Sequence, residues 1–163
     1  MQFYALSLFI ARVLIVIQYN FDDSQVNWQT LGDFKHFLYS VLDIDLENNI
    51  ADVIFKFEAN KQIFLHRHIA LNKTLVIQGE HHLYEPNGHL KETRAAGIYK
   101  TNPGDINPHR ECGGDNGAIV LFSVRGGDTP LDGALYEVLD DDENVVGQIT
   151  MADVIALHKA SNA

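Results

Sequence analysis

Cysteine occurs once in this chain of 163 residues, so no internal disulfide can form, and that usage fits a reducing, cytoplasmic compartment. Basic side chains are scarce as well. Twelve Lys and Arg face 22 Asp and Glu, and the resulting net charge of −10 repels a phosphate backbone, which argues against nucleic acid as a partner. A membrane-spanning run is missing: Met1 to Ile17 is almost wholly apolar but shorter than the roughly 20 residues a spanning helix needs, and Arg12 interrupts it. No basic start and no small-residue cleavage site precede Tyr19, Asn20, Phe21, Asp22 and Asp23, so neither a membrane nor an export role is expected. Repeats, low-complexity tracts and linkers are absent too, which leaves one domain. With 46% hydrophobic against 21% charged residues, disorder is excluded.

Histidine is the residue in excess, eight in a chain of this size, and each is a metal-capable imidazole. Placement decides what they do. Short apolar or alternating runs predict strands at Phe37–Asp43, Asp52–Glu58, Gln62–His68, Leu75–Glu85, Gly97–Tyr99, Ala118–Val124, Ala134–Leu139 and Val145–Ile149. Turn residues fall between them, among them Asn102-Pro103-Gly104, Gly113 to Gly117 and Asp140 to Asn144. Many short strands without intervening helices argue for an all-β sandwich or barrel such as a jelly roll. One helix closes the chain, opened by Thr150 with Asp153 three residues on as a capping box. The N-terminal run can be read two ways: Val13 to Ile17 is β-branched like a buried strand, while Phe3, Leu6, Ile10, Val13, Leu14 and Ile17 recur at helical spacing. An over-extended start is a third reading.

In His66-Arg67-His68 the two histidines are separated by one residue, which on a strand turns both rings to the same side of the sheet. If that side is the interior, two imidazoles converge as a metal requires; the plain alternative is polar alternation on a solvated face. Glu85 ends the strand from Leu75, His81 shares its parity, and His109 follows the Pro-Gly turn.

At these residues the sequence resembles the cupin superfamily. Its first motif runs Gly, five residues, His-x-His, three or four residues, Glu, six residues, Gly; here Asn60, His66, His68, Asn72 and Gly79 fall on that frame. Asn60 replaces the opening Gly, and Asn72 replaces the Glu that is commonly a metal ligand. The second motif is looser: Gly97 and Pro103 match, Gly104 follows Pro103 directly, His109 arrives one place late, and Gly113 holds the final Asn position. The resemblance covers roughly residues 28 to 150, so residues 1–27 are expected to be an apolar extension and 28–163 a cupin domain, a jelly-roll β-sandwich with a short C-terminal helix.

An amide is a poor ligand for a divalent cation, so position 72 cannot supply the carboxylate. Cupins similar to 2,4'-dihydroxyacetophenone dioxygenase, in which the His-Arg-His triplet is typical, take it from the following strand, where Glu85 stands six residues after Gly79. The resemblance therefore implies a metal on His66, His68, Glu85 and His109, most simply Fe(II), with Zn, Mn or Ni possible on ligand type. It further implies a dioxygenase that cleaves a C–C bond of a small ketone or hydroxyketone with dioxygen. The alternative function is a zinc-binding sensor or regulatory cupin without catalysis. Other candidates carry a plain reading beside the functional one. His81 and Tyr84 are candidate acid/base or oxyanion groups, or else packing and rim; Tyr99 is treated like Tyr84. Arg67 points away from the histidines, and an ion pair suits it better than a substrate role. Asp140 to Asn144 lacks the glycine and spacing of a calcium loop and reads as a solvated hairpin tip. Cys112 is a thiol without a partner. The apolar extension needs covering, which a second copy of the chain would do, so a homodimer is expected.

Overall fold

The computed structural model describes residues 20–162. The apolar stretch before Tyr19 and its strand candidate Val13–Ile17 lie outside the described residues. Nine strands form one curled sheet, followed by a helix: β1 (Phe37–Asp45), β2 (Ile50–Phe57), β3 (Leu65–His68), β4 (Leu71–Tyr84), β5 (Leu90–Ala95), β6 (Tyr99–Asn102), β7 (Asp105–Arg125), β8 (Ala134–Leu139), β9 (Val145–Thr150) and α1 (Met151–Ser161).

β7 organises the rest because it is long enough to serve both halves of the barrel. Its C-terminal part lies between β2 and β4, with Val120 opposite both Phe55 and Val76. Its N-terminal part pairs with β3, setting His66 opposite His109, and with the end of β4. β3 continues the sheet to β8, and β8 to β9.

The turn expected at Gly113 to Gly117 is instead a bend inside β7. Gly117 has φ +74° and Gly79, across the ladder on β4, has φ +73°. A Cβ on Gly79 would strike the Gly117 carbonyl, and one on Gly113 would strike the Gly117 backbone. Glycine therefore lets two backbones touch where the sheet folds over, and the β4–β7 register slips on either side of Gly79. β5 was not expected from its sequence, because Leu90-Lys91-Glu92-Thr93-Arg94-Ala95 lacks apolar alternation; it is held as an edge strand against β4.

Inward-facing residues of β1, β2 and β7 alternate as half-buried strands should: Phe37, Tyr39 and Val41, then Val53 and Phe57, then Val120, Phe122 and Val124. Leu135 of β8 and Met151 and Val154 of α1 close the same core. Each large side chain so buried contributes about 1.5–3 kcal/mol. The helix begins with the expected box, Asp153 N–H donating to Thr150 Oγ1 and Thr150 N–H donating to the Asp153 carboxylate. Asp140 to Asn144 forms the β8–β9 hairpin tip, where the Asp140 carboxylate accepts from the backbone of Asp142 and Asn144. No helix among the described residues is long and apolar enough to cross a membrane.

Candidate metal centre

β3 holds the His66-x-His68 pair, and both rings point inward, 4% and 5% exposed, as strand parity requires. Cross-strand pairing then delivers His109 from β7 directly opposite His66. The ring centroids of His66, His68 and His109 lie within 5.1 Å of one another. Two residues along β7, with the same parity as His109, Glu111 adds a buried carboxylate. One ligand atom from each of His66, His68, His109 and Glu111 can be chosen so that all lie within 4.8 Å of one another, the proportions of a metal-binding group.

The hydrogen bonds prepare these atoms for a cation. His66 Nδ1 donates to the Phe64 carbonyl at 3.1 Å, which fixes the tautomer and leaves Nε2 with a lone pair. That lone pair faces His68 Nε2 at 3.1 Å. His109 Nε2 is buried without a hydrogen-bond partner, 3.4 Å from Glu111 Oε1. A ring nitrogen left unmatched inside a cluster of acceptors is what a divalent cation would satisfy, so the residues fit a metal.

Electrostatics point the same way. Burial, and then the neighbouring His109, lower His66 to about 4, and the same causes hold His68 well below the usual imidazole range. Burial alone would raise the Glu111 carboxyl, but His81, His109 and His66 outweigh it and hold the group well below the usual carboxylate range. The three groups are thus kept as neutral imidazoles and a carboxylate, the forms that ligate metals.

Glu85, expected as the carboxylate ligand, is not brought to this group. It lies past the last paired residue of β4, in the turn that leads to β5, where its backbone N–H donates to the His89 carbonyl. Its carboxylate faces Lys91 at 3.7 Å. Glu111 supplies the carboxylate instead. The signal was present in the sequence as His109-x-Glu111, which repeats the one-residue spacing of His66-x-His68 on another strand.

The remaining candidates fall around the centre. His81 is fully buried, stacked on Phe57 with centroids 5.1 Å apart, and its Nε2 stands 3.5 Å from Glu111 Oε1. Tyr84 has the opposite parity on β4 and sits beside His82, with its hydroxyl 3.5 Å from His82 Nδ1. Tyr99 is exposed, Arg67 pairs with Glu137 at 2.5 Å, and Cys112 is buried.

A cavity of about 90 Å3 opens on the imidazoles. Its wall is aromatic and aliphatic, with Phe37, Phe55, Phe64 and Phe122 among the strand residues and Val154 and Leu157 from α1. His66, His68, Glu111 and the phenol of Tyr136 are also in the wall. Lys and Arg are absent from the described residues that line it, so among them no side chain would pair with a ligand's carboxylate or phosphate. Tyr136, whose role was not visible in the sequence, packs its ring edge-on against His68 with centroids 4.8 Å apart. Burial, and then the nearby Glu111 charge, raise its phenol, so it stays protonated.

No protein-family model matches the chain, and no curated protein matches it in sequence. Solved structures do resemble it in shape. An acetylacetone dioxygenase from Acinetobacter johnsonii aligns over 99% of both chains with a TM-score of 0.63 and 14% identity. A putative acetylacetone dioxygenase from Methylibium petroleiphilum PM1 covers 88% of this chain and 95% of its own, with a TM-score of 0.61 and 14% identity. An RmlC-like cupin protein from Ralstonia eutropha covers 82% and 79%, with a TM-score of 0.65 and 14% identity.

Proposed function

This chain has a cupin fold, and on that premise we propose that it is a metal-dependent dioxygenase, iron(II) being its metal, that cleaves a C–C bond of a small, uncharged ketone or hydroxyketone. The observation that carries the reading is a group of three imidazoles and one carboxylate, with His66, His68 and Glu111 in the wall of an apolar cavity that no Lys or Arg lines among the described residues. Two of the structural neighbours described above are named as acetylacetone dioxygenases, one of them putatively, which supports the choice of a small carbonyl compound.

His66, His68, His109 and Glu111 would hold the metal, with Glu111 in place of Glu85. The metal, when bound, supplies open positions for substrate oxygens and the redox chemistry that dioxygen requires. The chain's own residues do the rest. The Phe64 carbonyl fixes the His66 tautomer, and His81, with Nε2 3.5 Å from the Glu111 Oε1 that also faces His109, has a positioning role rather than contact with substrate. The aromatic wall excludes water and orients a flat carbonyl compound. For a hydroxyketone R–CO–CH2OH, cleavage with O2 gives RCOOH and HCOOH and uses both oxygen atoms. The same reading keeps the protein in the cytoplasm as a homodimer, supported by its lone cysteine and the apolar first 17 residues.

The test is oxygen consumption by iron(II)-reconstituted protein against a panel of aryl ketones, hydroxyketones and diketones, with zinc-loaded protein as control. Uptake with iron and at least one ketone is expected. Tight zinc binding with no uptake on any ketone would overturn the reading in favour of a non-catalytic metal module.

A further inference from the structure

Asn72 occupies the place where the cupin motif has a carboxylate, and the structure gives it other work. It is fully buried, with its Nδ2 donating to the Ala70 carbonyl at 2.9 Å and its Oδ1 accepting from the Tyr136 hydroxyl at 2.5 Å. The direction of this chain is forced. A backbone carbonyl can only accept, so the amide nitrogen must face Ala70; the amide oxygen then faces Tyr136 and can also only accept. The phenol proton is therefore committed to Asn72. What the Tyr136 oxygen has left is lone pairs and no proton, in a side chain that lines the cavity beside His68.

From this geometry we propose that Tyr136 is a specificity-determining residue that accepts a hydrogen bond from the ligand, and that Asn72 is the positioning residue that sets its polarity. The inference rests on the proposed carbonyl-binding site and narrows its substrate class to neutral compounds with a hydroxyl donor near the chelating carbonyl. A ligand offering only acceptors to Tyr136 would set lone pair against lone pair in a buried site and lose affinity.

The test uses cobalt(II)-loaded protein, whose visible spectrum reports ligand binding, titrated without oxygen with 2-hydroxyacetophenone and its methyl ether, 2-methoxyacetophenone. Both carry the same two chelating oxygens and only the first carries a donor. The wild-type protein is expected to bind the hydroxyl compound about tenfold more tightly. In Tyr136→Phe the two should bind within about twofold. Asn72→Ala frees the phenol to turn and donate, so the ether should gain and the ratio should fall toward one; a purely structural Asn72 would weaken both ligands together. Equal wild-type affinities, or a tenfold ratio that survives Tyr136→Phe, would overturn this inference while leaving the carbonyl site standing. Failure of both ketones to change the spectrum would overturn the carbonyl site and the inference together. If Asn72→Ala does not fold, the Tyr136→Phe titration decides by itself.

Discussion

Replacing Glu111 and Glu85 separately by glutamine separates two carboxylates with opposite environments. Glu111 is 3% exposed and its oxygens stand 3.4, 3.5 and 3.8 Å from nitrogens of His109, His81 and His66. Glu111→Gln keeps the shape and removes the one negative charge in the group. Breaking a buried, well-packed charge pair costs about 3–5 kcal/mol, which corresponds to a metal affinity lower by roughly two to three and a half orders of magnitude. Glu85 has a side chain 42% exposed and a single lysine at 3.7 Å, an interaction worth at most about 1 kcal/mol and unconnected to the imidazoles. Glu85→Gln should therefore bind metal as the wild type does. The assay is competition for zinc or iron(II) against a chromophoric chelator, with elemental analysis of each purified variant. Full metal affinity in Glu111→Gln, or its loss in Glu85→Gln, would refute the assignment.

The remaining predictions concern stability. In the unfolded chain His66 takes up a proton near its ordinary 6.5, but the folded, metal-free protein resists until about 4. Its folded value is depressed, so stability is full above about 6.5 and falls as the pH drops toward 4, by up to about 3 kcal/mol from this group. Urea titrations of metal-free protein between pH 7 and 4 should follow that slope, and a flat profile would contradict the buried neutral imidazole. Gly79→Ala forces a side chain onto the Gly117 carbonyl from a backbone at φ +73°, so a loss of more than about 2 kcal/mol, or failure to fold, is expected in the same assay. Thr150→Ala removes the acceptor for Asp153 N–H and should cost about 1 kcal/mol by thermal melting; an unchanged Tm would mean that the cap contributes nothing.

Strands whose side chains alternate cleanly were legible in the sequence, as in Phe37–Asp43, which the structure extends to Asp45, and Ala134–Leu139, and so was the helix start, because Thr150 and Asp153 act within one turn. Gly113 to Gly117 was misleading for a physical reason: glycine marks a tight turn and a close backbone approach with the same residue, and only the partner at Gly79 distinguishes them. β5 was hidden because an exposed edge strand needs no apolar alternation. At the site, His66 and His68 were readable from parity, and His109 came with the motif. Glu111 was overlooked because Glu85 fell on the expected spacing, although whether a strand carries a carboxylate inward or into the next turn depends on its cross-strand register. The link between Asn72 and Tyr136 spans 64 residues and exists only once β4 and β8 are folded.

The central claim is that three histidines and Glu111 make one metal centre. Metal-edge X-ray absorption of the iron(II)-loaded protein tests it most directly. The account predicts scattering from three imidazoles together with oxygen ligands, and loss of one imidazole in His109→Ala. A spectrum with no imidazole shell, or one that His109→Ala leaves unchanged, would contradict it.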